Sequence, residues 1–453
     1  MTYSYDVQPG VPPSAAAARR GVAFMLPLLL FALAACNTDK LLEVEDLDVA
    51  TPGSLESEQA LSVVHAGAIG DFQVAYGGNG GAEGQITISG MLADEWRNSE
   101  TFPTRIEVDQ RIIQEQNATM TGVMRDVQRA RAAADFAGAK FQALAPTDIR
   151  RAELLNLAGY AIVLMAENYC SGIPISRLTE TGELEFGEPR TTDQLLDDAI
   201  AKFDSAIVLA GAAGAGGATE LNMARVGRGR SLLNKADFPG AAAAVAAVPT
   251  DFVYVIFHSS GTGRQNNGLW VFQRIASRWT VADLEGTNGL PYISDDDPRV
   301  PTEPAGRLGF DGATPLIFQN KYPDRDSPVP LAEGIEARLI EAEAALRAGN
   351  LVGYTTALNA SRSEQGLDAV VPPATATERQ DQLFKERAYS LWLTSHRLGD
   401  LRRLIRQYGR TESQVFPTGP YFKGGEYGTD VNLIIPFDEK NNPNFQGCLD
   451  RNA

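Results

Sequence analysis

Apolar residues recur every three or four positions over most of the chain, the spacing that lines one face of an α-helix. The pattern predicts helices over residues 55–76, where Leu55, Val63, Val64, Ile69 and Phe72 keep a loose helical period, and over 118–144. A third is predicted over 149–169, where Leu154, Leu157, Ala158, Ala161 and Leu164 share a face. Pro146 separates the last two as an antiparallel pair, and Ser171-Gly172-Ile173-Pro174 ends the second. Between the first two, a glycine-rich break at 77–84 precedes an ordered stretch from Met91 to Trp96 and a polar segment, 97–105, holding Asn98 and Phe102-Pro103. A capping box, Thr191 to Gln194, opens a helix to about residue 209; the Gly/Ala stretch 211–218 reads as a loop, and a further pair spans 220–234 and 238–247. In that pair Gly229, Asp237-Phe238 and Ala241 stand where a tetratricopeptide repeat has its small residue, its turn and its second-helix alanine. Glu336 to Ala348, Gly349-Asn350-Leu351 and the following segment repeat the arrangement. Residues 378–408 predict one long helix with Phe384, Ala388, Leu391, Leu398, Leu401 and Ile405 buried, and with Asp400 spaced to pair with Arg397 and Arg403.

Residues 251–330 break this rhythm. Short β-like runs, 252–257 and 269–272, alternate with Gly, Asn, Asp and Pro turns, and the segment carries Trp270, Trp279 and Tyr292. A long irregular insertion in a helical protein is a place for function, and its aromatics argue against disorder. The expected fold class is therefore all-α, tetratricopeptide-like helical pairs with a loop-rich insertion. Its divisions are 54–250, 251–330 and 331–453.

The N-terminus departs from both patterns. Arg19 and Arg20 precede an apolar run from Gly21 to Ala35 that contains Pro27 and closes on Leu33-Ala34-Ala35-Cys36. That order reads as a lipoprotein signal, 1–35, cut before Cys36, whose thiol takes a diacylglycerol and tethers the protein through a polar spacer, 36–53. The run falls short of the roughly 20 apolar residues that span a bilayer. Beyond that lipid on Cys36 no cofactor is expected. The formal charge of -17 disfavours nucleic acid as a partner and leaves membrane contact to the acyl chains. With Cys36 lipidated, Cys170 and Cys448 remain as a disulfide pair for an oxidising compartment.

Catalytic patterns find little support. His65, His258 and His396 are far apart, and no metal motif, phosphate-binding glycine loop or nucleophile elbow occurs. Asp94-Glu95 would have to supply the two acids of a glycosidase, although adjacent acids on a helix point apart. Asp295-Asp296-Asp297 lacks the ligand spacing of a calcium loop and reads as a turn ahead of Pro298.

Glu386-Arg387, Leu391, His396-Arg397, Asp400-Leu401 and Arg402-Arg403 resemble the C-terminal signature of the SusD/RagB family of nutrient-uptake outer-membrane lipoproteins. Asp297-Pro298-Arg299, Gly172-Ile173-Pro174, and Ile435-Pro436 with Glu439 and Asn442-Pro443-Asn444 extend the resemblance over essentially all of the chain after Cys36. Ser390 and Thr394-Ser395 depart from it, standing where the family usually has glutamate and glutamate-glycine. The resemblance implies a non-enzymatic lid, held at the cell surface of the outer membrane by its lipid. Such a lid sits over a SusC-like TonB-dependent barrel and captures an oligosaccharide or peptide for import. Since sugar recognition uses aromatic faces and amides, Trp96, Asn98, Trp270, Trp279 and Tyr292 are the candidate ligand residues, with Trp392 assigned to the core. Two alternatives remain: a tetratricopeptide-like envelope scaffold and a surface glycoside hydrolase.

Overall fold

A computed structural model describes residues 57–179 and 183–452; the signal segment, Cys36 and the spacer lie outside the described residues. Helix α1 (Leu61–Gly77) is followed by α2 (Gln85–Leu92), strand β1 (Trp96–Asn98) and α3 (Pro103–Asp109). The helical pairs then begin with α4 (Ala118–Leu144) and α5 (Arg150–Asn168). They continue through α6 (Thr192–Ala212), α7 (Ala218–Asn234) and α8 (Phe238–Val245). The expected capping box opens α6, where the Gln194 N–H donates to Thr191 Oγ1 at 3.2 Å and the Thr191 N–H to Gln194 Oε1 at 2.9 Å. The 211–218 stretch, expected as a loop, instead completes α6 and forms a 3-10 turn over Gly214–Gly217. Its alanines sustain helix where the glycines alone would have stopped it.

Close approach of α7 to α8 depends on Gly229: a Cβ there would lie 2.4 Å from Val245 Cγ1 and 3.3 Å from the Ala241 carbonyl oxygen. At the turn, the Asp237 carboxylate accepts from the Gly240 N–H at 2.9 Å and caps α8. The same device recurs between α9 (Gly334–Arg347) and α10 (Leu351–Glu364), where Asn350 Oδ1 accepts from the Gly353 N–H at 2.9 Å. The two copies of the repeat thus share a turn as well as a pattern.

The insertion is stapled at its neck. Strand β2 (Val253–Ile256) pairs antiparallel with β6 (Val329–Glu333), Ile256 opposite Val329 and Val253 opposite Glu333. Inside, β3 (Trp279–Val281) pairs with β1 across the chain, and β4 (Thr302–Leu308) forms a hairpin with β5 (Pro315–Gln319). Residues 269–272, expected as strand, are helical: Gly268–Trp270 runs into a π-helical turn over Val271–Ile275. Asn267 accounts for this, because its side chain caps the Trp270 N–H at 3.1 Å. Trp279, Val281 and Tyr292 belong to the same buried cluster as the helices, so the boundaries at 250/251 and 330/331 do not separate independent cores.

The long helix expected over 378–408 is two. Helix α11 (Ala376–Ser390), opened by a Thr375–Glu378 capping box, stops short of α12 (Arg397–Tyr408). Between them Leu393 and Ser395 adopt positive φ, 53° and 63°. Groups from distant segments satisfy the backbone thus freed. Glu95 Oε1 accepts from the Leu393 N–H at 2.9 Å, Lys321 Nζ donates to the Trp392 carbonyl at 2.6 Å, and the Tyr322 and Tyr76 hydroxyls donate to the carbonyls of Leu393 and Thr394.

The charged residues at the facing ends of these two helices, Glu386, Arg387, Arg397, Asp400, Arg402 and Arg403, are buried. Asp400 does pair with Arg403 (2.8 Å), but its other partner is Arg387 (2.7 Å), while the expected partner Arg397 clasps Asp94 with two bonds of 2.7 and 2.8 Å. Arg403 also binds Glu343 at 2.5 Å, and Glu386 receives both Arg299 and Arg362 at 2.6 Å. Ser390 joins in by accepting from Arg299 Nη1 at 3.1 Å. The signature is a cross-linking network inside the core. At the chain's end, Cys170 and Cys448 form a disulfide with a Cα–Cα separation of 5.6 Å, and the Leu449 N–H donates to the Ser171 carbonyl at 2.8 Å beside it.

Candidate ligand cleft

An Asx turn at the end of β1 starts the site. Asn98 is fully buried: its N–H donates to Asp109 Oδ2 at 3.0 Å, and its Oδ1 accepts from the Glu100 N–H at 3.0 Å. The turn carries residues 99–102 outward against the tip of the β4–β5 hairpin. There the Ser99 N–H donates to the Arg278 carbonyl (2.9 Å), the Asp311 N–H to the Ser99 carbonyl (3.0 Å) and the Phe310 N–H to the Ser277 carbonyl (2.8 Å). Gly309 makes this contact possible, since a Cβ would sit 2.4 Å from Ser99 Cβ.

A third segment, 421–427, completes the walls. Lys423 Nζ donates to the Glu100 carbonyl at 2.6 Å and to Asp311 Oδ2 at 2.7 Å, tying all three segments together. The open cleft between them holds about 500 Å³ and is lined by Arg97, Glu100, Thr101, Asp311, Phe422 and Lys423 among others. Phe422 lines it, and Phe102 and Phe310 adjoin the lining residues Thr101 and Asp311; Phe102, Phe310 and Phe422 are 41%, 55% and 37% exposed. Phe102 and Phe310 stack with centroids 6.0 Å apart; Arg278 lies 4.9 Å over Phe102 and Arg97 4.8 Å over Phe422.

Carboxyl groups beneath the cleft titrate out of their usual range. Burial pushes Glu100 up to about 7 against the pull of Arg105 and Arg278, 3.4 and 3.5 Å away. Asp109, also through burial and then through the charge of Glu285, reaches about 7; Tyr421 donates to it at 2.7 Å. Glu285 is raised by burial, although it is bound by Arg97 and by the Tyr427 hydroxyl. Burial would raise Asp311 too, but bonds from Lys423, Thr314 and two backbone N–H groups hold it well below the carboxylate range.

The five expected ligand residues do not come together at this cleft. Trp96, Trp279 and Tyr292 are fully buried like Asn98: Trp96 and Trp279 lie on the β1–β3 ladder, and Tyr292 packs 5.3 Å from Tyr389 and 6.3 Å from Trp392. Their loop-like sequence surroundings hide short paired segments that face the core. Trp270 is half-buried on the insertion, its indole N–H donated to the Pro323 carbonyl at 2.7 Å and its ring beneath Arg325 at 5.1 Å. Asn98 contributes through its turn. The wall residues that the sequence did not single out, Arg97, Glu100, Asp311, Phe422 and Lys423, come from three separate segments; the one local sign was Phe102, next to Thr101, within a polar stretch.

Asp94 and Glu95 offer no open acid pair, because both are buried and Asp94 is held by Arg397. Asp295 is bound by Lys385 (2.5 Å) and Tyr389 (2.8 Å), Asp297 by Arg299, and no cluster suited to a metal occurs among the described residues. No helix among the described residues is long and apolar enough to cross a membrane.

No family model matches the chain, and no curated protein matches it by sequence. Solved structures do. A SusD-like carbohydrate-binding protein from Bacteroides vulgatus superposes with a TM-score of 0.62 at 14% identity, covering 88% of this chain and 98% of its own. A SusD/RagB family protein from Bacteroides thetaiotaomicron gives 0.61 at 14%, covering 84% and 94%. A SusD-like carbohydrate-binding protein from Bacteroides fragilis gives 0.59 at 15%, covering 86% and 99%. The chain has the SusD-like fold, helical pairs included.

Proposed function

We propose that this protein is a cell-surface nutrient-binding lipoprotein of the outer membrane. It captures an oligosaccharide or peptide and acts as the lid of a SusC-like TonB-dependent barrel. The observation that carries the reading is a SusD-like fold over nearly the whole of its structural neighbours, bearing an aromatic-rimmed surface cleft of about 500 Å³. Binding without bond cleavage fits the cleft, whose acids are tied to basic partners, and the burial of Asp94 and Glu95 speaks against the glycosidase alternative. The anchor is the diacylglycerol on Cys36, placed by Leu33-Ala34-Ala35-Cys36.

Native outer membrane solubilised in mild detergent and captured through a C-terminal tag tests the lid. Recovery of a large TonB-dependent barrel in near-equal amount is expected; recovery alone, or with periplasmic assembly factors, would sink the reading and favour the scaffold. Cys36→Ser should move the protein from the membrane fraction to the soluble one, read by fractionation and immunoblot.

A further inference from the structure

Stacking on sugars favours the electron-rich faces of Trp and Tyr, joined by side chains with spare hydrogen-bonding capacity for vicinal hydroxyls. This cleft offers no Trp or Tyr face, and among its wall side chains the Thr101 hydroxyl is an isolated donor. Its rim aromatics are all phenylalanine, while Trp96, Trp279 and Trp392 are buried and Trp270 does not line it. Arg278 and Arg97 already occupy faces of Phe102 and Phe422, drawing on their π density.

The polar groups of the walls are largely spent on each other. Arg97 is bound to Glu285, Lys423 to Asp311 and the Glu100 carbonyl, and the Thr314 hydroxyl to Asp311. A ligand dense in hydroxyls would leave water here and find few replacements.

Apolar surface, by contrast, continues past the cleft. Leu308, two residues before Phe310 on the hairpin, and Ile275, two residues before the Ser277 to which the hairpin is bound, are 49% and 59% exposed. Among the described residues strand β4 of that hairpin pairs only with β5, which leaves it a strand edge next to Leu308. A free strand edge beside apolar pockets is how an extended main chain is recognised.

Resting on the nutrient-capture reading above, we infer that the cleft takes a short extended peptide with aromatic or aliphatic side chains, and not a glycan. The side chains lie against Phe102, Phe310 and Phe422, and the Phe rim sets the selectivity.

The test uses the detergent-solubilised lipoprotein, immobilised and offered a tryptic digest of casein. In a parallel run it is offered an equimolar mixture of maltohexaose, cellohexaose and xylohexaose. Eluates are quantified by mass spectrometry. Peptides rich in Phe, Leu and Ile are expected to be retained and the oligosaccharides to wash through. Phe102→Ala and Phe310→Ala should each cut peptide retention about fivefold or more with an unchanged melting temperature, while Trp270→Ala leaves it unaltered. Retention of an oligosaccharide in place of peptides, retention of neither, or peptide retention indifferent to both Phe variants would overturn the inference. Barrel recovery is scored separately: a co-purifying barrel with failed peptide binding removes the ligand class alone, and a missing barrel removes the lid.

Discussion

Glu95 shows how a single residue couples the fold to pH. It is buried with Asp94 as its neighbour in sequence, and burial, opposed by the Leu393 N–H, raises its carboxyl from 4.5 to about 8. The native state therefore holds this proton more tightly than the unfolded chain does. The resulting stability is complete below the ordinary carboxylate value and is lost as pH climbs through 8. Glu100 and Asp109, both near 7, act in the same direction. We expect the share of stability that Glu95 contributes, about 3 kcal/mol, to be lost between pH 5 and 8, and Glu95→Gln to flatten that share of the slope in denaturant titrations at both pH values. A glutamine variant as steep as wild type would refute the assignment. Asp400 works oppositely: burial would raise it, yet Arg387 and Arg403 hold it far below the carboxylate range. Its contribution is complete above the ordinary carboxylate value and is lost progressively as pH falls below it.

At the scale of elements, the α7–α8 contact sets the repeat. In Gly229→Ala the new methyl meets Val245 Cγ1, which should cost about 1–3 kcal/mol. Adding Val245→Ala opens room, so the double variant should be more stable than additivity predicts when the four proteins of the cycle are compared by thermal unfolding. Additive losses would mean the two helices do not touch as described. Such pairs were legible in the sequence because helical period, capping box and turn residues agree with one another. The break at 391–396 was not: it holds no Gly or Pro, and its backbone is satisfied by Glu95, Lys321, Tyr322 and Tyr76, all remote in sequence. Nor was the cleft. Aromatic residues in loop-like stretches read as exposed, but Trp96, Trp279 and Tyr292 fill the core, and the rim is made by phenylalanines that three distant segments bring together.

Across the whole molecule, the Cys170–Cys448 bond closes a loop spanning 278 residues. Cys170→Ser with Cys448→Ser should lower stability by about 2–5 kcal/mol, and dithiothreitol should bring the wild type to the same midpoint in a denaturant titration. A midpoint unmoved by either treatment would show the bond to be dispensable. The same closure fixes an order of events in the protein's making. The partner of Cys170 stands 278 residues further along, and the strand-like segment that leads to it hydrogen-bonds Cys170 through the Leu433 carbonyl. A polypeptide emerging amino end first must therefore leave the end of α5 uncovered while the 278 residues up to its partner are made. Whatever escorts the nascent chain has to shield that surface over the whole of that interval.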